Sequence, residues 1–174
     1  MTGPTTIEVR ALGADDWQSW RDLRLRCLQD SPEAFGSTYD TERRFTERTW
    51  RERLADPAST RLLAARDGEP VGIGGATPDG PGRARVVSMW VAPTARGERI
   101  AHHLLQHAEN WAALHGLRLH LDVTTANTAA RHCYERYGFR RTGEVRPLRP
   151  GRDVLVERLV LERQDGLSGR RGCR

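Results

Sequence analysis

The chain has 174 residues, of which 37% are hydrophobic and 29% charged, with 28 basic against 23 acidic side chains and a formal net charge of +5. That is the size and make-up of one globular domain, not a disordered chain, and no apolar run approaches the roughly 20 residues a membrane helix needs. Every basic residue is Arg, and residues 163–174 carry +3 of the +5, so the charge defines no nucleic-acid-binding face on the body of the chain.

The opening MTGPTTIEVR has no basic start followed by an apolar stretch, which is not a secretory signal, and a cytoplasmic protein is expected. The cysteines, Cys27, Cys133 and Cys173, are odd in number, far apart and without a CxxC pair. Neither a disulfide framework nor a structural zinc site is expected, and Cys133 is expected to pack as a small hydrophobe.

In chain order, IEVRAL (7–12) alternates as a short strand. Asp15 or Asp16 then offers an N-cap for a helix to about Gln29, with Trp17, Trp20, Leu23, Leu25 and Leu28 on one broad face. Ser31-Pro32 ends it, DSPEAFGST reads as a loop or irregular helix, and a second helix is expected from Thr41 to Leu54, stopped near Asp56-Pro57. RLLAAR (61–66), VGIGGAT (71–77) and ARVVSMWV (84–91) read as strands separated by the turn DGEP and the loop PDGPGR. Pro93 ends the third, and a helix is expected from Arg96 to about His115, closed by Gly116. LRLHLDV (117–123) is a strand, TTAN leads into a helix ending near Tyr137, and FRRTGEV (139–145) and VLVERLVLE (154–162) are the last strands. The order β-α-α-β-β-β-α-β-α-β-β predicts a single α/β domain over residues 1–162 with a mixed sheet. The Arg/Gly-rich tail, 163–174, is expected to be disordered.

Two stretches carry chemistry. In VVSMWVAPTARGERIAHHLLQHAENWA a strand runs through a short turn into a helix opening Arg96-Gly97-Glu98-Arg99-Ile100-Ala101. Free backbone N–H groups and a partial positive charge at such a helix start suit a phosphate. In LRLHLDVTTANTAARHCYERYGF a strand leads to Asn127 and a helix bearing Ala130, Tyr134, Glu135, Gly138 and Phe139.

Together these stretches resemble the GNAT superfamily of acyl-CoA-dependent N-acyltransferases. The first resembles that family's V-x-P-x-x-R-G-x-G-x-G/A segment and the second its N-x-x-A-x-x-x-Y-E-x-x-G-F segment. The motifs cover residues 84–145, and the element order extends the resemblance to 6–162. It implies a mostly antiparallel sheet of about seven strands, flanked by about four helices, with a V-shaped split between strands 4 and 5. It also implies that acetyl-CoA is the acyl donor. Its pantetheine arm would pair with Met89, Trp90 and Val91, and its pyrophosphate would sit on the N–H groups of Arg96, Gly97, Glu98, Arg99, Ile100 and Ala101. Asn127 and Ala130 would meet the arm, and the Val91 N–H would polarise the thioester carbonyl.

Tyr134 stands where the family carries its general acid. Asp122, twelve residues before it, is a candidate base, with His120 and Glu42 behind it. One position departs from the family: Arg99 stands where a glycine is usual, and donor binding is expected to survive because the remaining positions match. Phe35, Gly36, Ser37 and Tyr39 interrupt the helical pattern as an acceptor-binding loop would, and RPLRPGRD (146–153) would form a second wall with three arginines.

His103 and His107 lie four apart on one helix, but HExxH is absent and no acid or Cys stands by them, so no metal is expected. The function implied is direct transfer of an acetyl group to a primary amine, either a small molecule or a peptide N-terminus. A non-catalytic acyl-CoA-binding or sensing domain is the alternative. No nucleic acid or membrane partner is expected, and exposed sheet edges leave both a monomer and a homodimer open.

Overall fold

The computed structural model describes residues 5–149 and 153–162. The tail 163–174, with Cys173, and Arg152 of the second wall lie outside the described residues.

Strand β1 (Ile7–Ala11) is followed by helix α1 (Trp17–Asp30), a 3-10 turn at Pro32–Ala34, and two short helices, α2 (Tyr39–Glu42) and α3 (Glu47–Ala55). Strands β2 (Thr60–Arg66), β3 (Glu69–Pro78) and β4 (Arg83–Val91) then form an antiparallel meander. Helix α4 (Ile100–Leu114), β5 (Arg118–Thr124), α5 (Thr128–Tyr137), β6 (Phe139–Pro147) and β7 (Leu155–Leu161) complete the chain. The sheet order is β1-β2-β3-β4-β5-β7-β6, and β4–β5 is its parallel pairing.

The expected second helix is two. Thr46 caps α3 by accepting from the Thr49 N–H, as Thr38 caps α2 by accepting from the Thr41 N–H, and each cap needs extended backbone at its own position. The described α-helices therefore number five, in keeping with the about four expected. The start of the third expected helix also moves. A 3-10 turn at Pro93–Ala95 and positive φ angles at Gly97 (88°) and Arg99 (63°) delay α4 to Ile100. Asp16 stands at the α1 N-cap position but gives its carboxylate to the Gly13 N–H and to Arg10, tying β1 to the helix start.

Helix α4 packs on β2, β3 and β4, and α1 on β3 and β4. Trp20, Leu23, Leu28, Trp50, Ile73, Leu104, Leu105 and Phe139 lie within one buried core. The glycines of β3 let its neighbours close in. A Cβ on Gly74 would stand 2.6 Å from Met89 Sδ, and one on Gly75 would stand 2.3 Å from the Thr60 carbonyl oxygen.

Strands β4 and β5 pair at three positions, Arg83 with Arg118, Ala84 with Leu119 and Arg85 with His120. Beyond them β4 carries an extra residue relative to β3, centred on Ser88, whose φ is +59°. A bulge re-aims a strand, and this one lies where β4 leaves β5. The sheet therefore opens as a V between strands 4 and 5.

Candidate active site

A cleft of about 1200 Å³ fills the split. Its walls come from β4 (Arg85–Val91), β5 (Leu121–Thr124), the start of α4, the inner face of α5, Arg24 of α1, Arg53 of α3, and the connections after α1 and β6. The Ala92 N–H donates to the Val71 carbonyl on β3 at 2.8 Å. Strand alternation then turns the N–H and C=O of Val91 to the open edge. There the Val91 carbonyl accepts from Arg96 Nε at 3.0 Å. The open edge of β4 can accept an extended ligand as an added strand.

One end of the cleft presents free backbone donors, an arrangement that suits an anion. The first bond within α4 runs from the His103 N–H to the Arg99 carbonyl, which leaves the N–H groups of Ile100, Ala101 and His102 without a helical acceptor. All three residues line the cleft, with Arg96, Gly97 and Arg99. The left-handed φ of Arg99 explains why glycine suits this position: an L side chain there costs about 1–2 kcal/mol. Among the described residues the Arg99 guanidinium has no hydrogen-bond or ion-pair partner. Arg66 braces the loop from behind, bonding the Thr94 carbonyl at 3.1 Å and Glu98 at 2.7 Å. Glu98 thus belongs to the brace and does not line the cleft.

Helix α5 forms the facing wall. Asn127 caps it, its Oδ1 accepting from the Ala130 N–H at 3.0 Å. Asn127, Ala130, Cys133 and Tyr134 line the cleft. The Tyr134 ring stacks edge-on against Phe139, and its hydroxyl has no hydrogen-bond partner among the described residues. Burial, with an addition from Cys133, pushes that hydroxyl above its ordinary value of 10.0, so it stays protonated at neutral pH. Tyr137, one turn on, instead donates to Glu109 Oε2 at 2.5 Å.

The other end of the cleft is lined by arginines. Arg24 grips Glu42 through two bonds of 3.0 and 2.8 Å and lies over the Phe35 ring at 4.9 Å. Burial alone would raise the Glu42 carboxyl; the bonds from Arg24 outweigh it, and the group is held below its ordinary value of 4.5. Arg149 Nη2 donates to the carbonyls of Phe35 (2.5 Å) and Ser37 (2.8 Å), which joins the β6–β7 connection to the α1–α2 connection. Asp122 is 9% exposed and accepts from Arg146 at 2.5 Å and from Arg158 at 3.2 Å.

The sequence-selected residues fall as follows. Met89, Trp90 and Val91 of β4, Asp122 of β5, and Phe35, Gly36 and Ser37 of the α1–α2 connection all line the cleft. Tyr39 does not, and His120 lies off it, bonded to Asp79 at 2.7 Å. Sequence reasoning missed Arg24, Arg53 and Arg85, which the fold adds to the walls. The one sequence signal of Arg24 and Arg85 is an Arg on the otherwise apolar faces of α1 and β4; Arg53, on α3, has no such signal.

A sequence profile of the acetyltransferase (GNAT) family matches residues 17–139, and the chain belongs to that family. It is 37% identical over 99 residues to the IAA acetyltransferase of Azospirillum brasilense, a match spanning 56% of this chain and 65% of that protein. The acetyltransferase of the GNAT family from Streptococcus pneumoniae shares the fold at 20% identity, with a TM-score of 0.76 over 90% of this chain and all of that one. The yncA protein of Salmonella typhimurium, solved with its cofactor acetyl-CoA, does so at 15% identity, with a TM-score of 0.72 over 96% of this chain and 99% of that one.

Proposed function

We propose that this protein is an N-acetyltransferase that moves an acetyl group from acetyl-CoA to an amine by direct attack with both substrates bound. The observation that carries the reading is the split between β4 and β5, which runs from the free N–H groups of α4 to the Tyr134 hydroxyl. The residues present suit the donor. The unpaired N–H groups of Ile100, Ala101 and His102 match a pyrophosphate, and the open edge at Met89–Val91 matches the amides of a pantetheine arm. Asn127 and Ala130 bound the arm from α5.

The amine must arrive neutral, since an alkylammonium with a pKa near ~10 has no lone pair to offer. Its nitrogen forms a bond to the acetyl carbon, and the carbonyl oxygen gains negative charge that the Val91 N–H stabilises. The C–S bond then breaks, Tyr134 gives its proton to the departing sulfur, and CoA leaves as the thiol. The proton shed by the amine passes to water and restores the tyrosine. Both oxygens of Asp122 are taken by guanidinium groups, so in this reading it is the counter-ion that orders Arg146 and Arg158, not the base.

Tyr134→Phe tests the reading. Turnover should fall by about 10²-fold or more, while acetyl-CoA still binds. Full activity in the variant would remove Tyr134 from the chemistry.

A further inference from the structure

Asp122 is one carboxylate facing three guanidinium groups. Arg158, opposite it on β7, takes Oδ1, and Arg146 takes Oδ2. Arg85 comes only to 3.9 Å of that same Oδ2, beyond hydrogen-bond reach. The Arg85 Nε is shut off from solvent and has no partner among the described residues. A donor left unpaired on a charged group is costly. Arg158 has a second carboxylate in Glu144 at 3.6 Å, whereas among the described residues Arg85 and Arg146 have none within 4 Å besides Asp122, Asp79 acting on Arg85 only from farther off. The Arg85 side chain is 40% exposed and lines the cleft, as does Arg146, so a ligand reaches the exposed part of each, the shielded Arg85 Nε excepted.

The position fits the acceptor. Arg85 pairs with His120 in the last rung of the parallel ladder, and continuing that register past the split would bring Asp122 level with Val87. That is roughly 7 Å along the strand from Met89, where the donor arm begins. Toward α1 the same wall carries Arg24 and Arg53 around Glu42. Four guanidinium groups thus face two carboxylates on this side of the cleft. A polyamine or aminoglycoside would meet net repulsion there, whereas a carboxylate matches the planar fork of a guanidinium.

Resting on the acetyltransferase reading, we infer that the acceptor is a small amine that also carries a carboxylate, received by Arg85 and Arg146 beside Asp122. The test compares common amino acids, each against its own carboxamide, with spermidine alongside, by release of CoA. The acids should exceed their amides in kcat/KM by about tenfold or more, and spermidine should be slower than either. Arg85→Gln should bring the acid-to-amide ratio close to unity, and Arg85→Lys should keep part of it. Amides or spermidine consumed as well as the acids would overturn the inference, as would an unchanged ratio in Arg85→Gln. Acetyl-CoA bound with no amino acid acetylated would also overturn it and leave the acetyltransferase reading standing. No binding of acetyl-CoA and no turnover with any amine would defeat both.

Discussion

The guanidinium of Arg96 lies 2.6 Å from the carboxylate of Asp30 and so fastens the loop that starts α4 to the end of α1. The same carboxylate oxygen accepts from the Trp90 indole N–H at 2.9 Å and from the Ser31 hydroxyl at 2.8 Å. These donors, the indole first, hold Asp30 below its ordinary value of 3.8. One carboxylate therefore sets both the strand edge and the anion-facing loop. Asp30→Ala should raise the KM for acetyl-CoA by about tenfold, the worth of one charge-assisted hydrogen bond, with a smaller effect on kcat. Steady-state kinetics over a range of acetyl-CoA concentrations checks this.

Arg99 is a left-handed residue with a Cβ. Arg99→Gly should stabilise the fold by about 1 kcal/mol through relief at φ +63°. It also removes a guanidinium at the anion end, and acetyl-CoA affinity should change by only about 1 kcal/mol. Urea unfolding measures the first effect and calorimetry the second.

Gly75 has no room for a side chain, since its Cβ would meet the Thr60 carbonyl at 2.3 Å. The obstacle is backbone, which cannot swing aside. Gly75→Ala should destabilise the protein by about 1–3 kcal/mol, read as a lower urea midpoint.

Much of the site was legible in sequence because backbone geometry demands particular residues. Gly116 and Gly138 take positive φ and each marked the end of its helix, whereas the positive φ at Gly97 lies where the expected start of α4 was misplaced. The run from Asn127 to Phe139 placed α5 and the turn into β6 correctly, because its cap and its closing glycine are local signals. What failed to read depended on distant partners. Arg149 meets Phe35 across 114 positions, and the Arg85, Arg146 and Arg158 that surround Asp122 come from three other strands. Asp122 was visible as an acid at the right offset from Tyr134, but its commitment to guanidinium groups was not. The break between α2 and α3 was hidden because Thr41–Leu54 keeps helical composition through it, and only the Thr46 cap marks the stop.

Stability should fall on acidification. Glu42 is held below its ordinary 4.5, so the unfolded chain takes up its proton first. The contribution of the Glu42–Arg24 pair is present above about pH 4.5 and is lost as pH drops through the lowered folded value. His120 acts in the same direction. Burial, partly offset by its bond to Asp79, holds it below its ordinary 6.5, so protonation below that pH favours unfolding. Glu42→Gln should flatten the acid limb of a stability-against-pH curve while lowering stability at pH 7 by about 3–5 kcal/mol, because Arg24 is left buried and unpaired. In the proposed mechanism Tyr134 is the acid, and its raised value would keep it protonated past pH 10.0, so no alkaline loss of kcat should appear below that pH.

The central claim is that the split between β4 and β5 holds acetyl-CoA, and calorimetric titration of the protein with acetyl-CoA in moderate salt tests it most directly. Binding should be one-to-one and in the micromolar range, weakened in Asp30→Ala and retained in Tyr134→Phe. Absence of heat up to millimolar acetyl-CoA would contradict it, and the cleft would then need a different ligand.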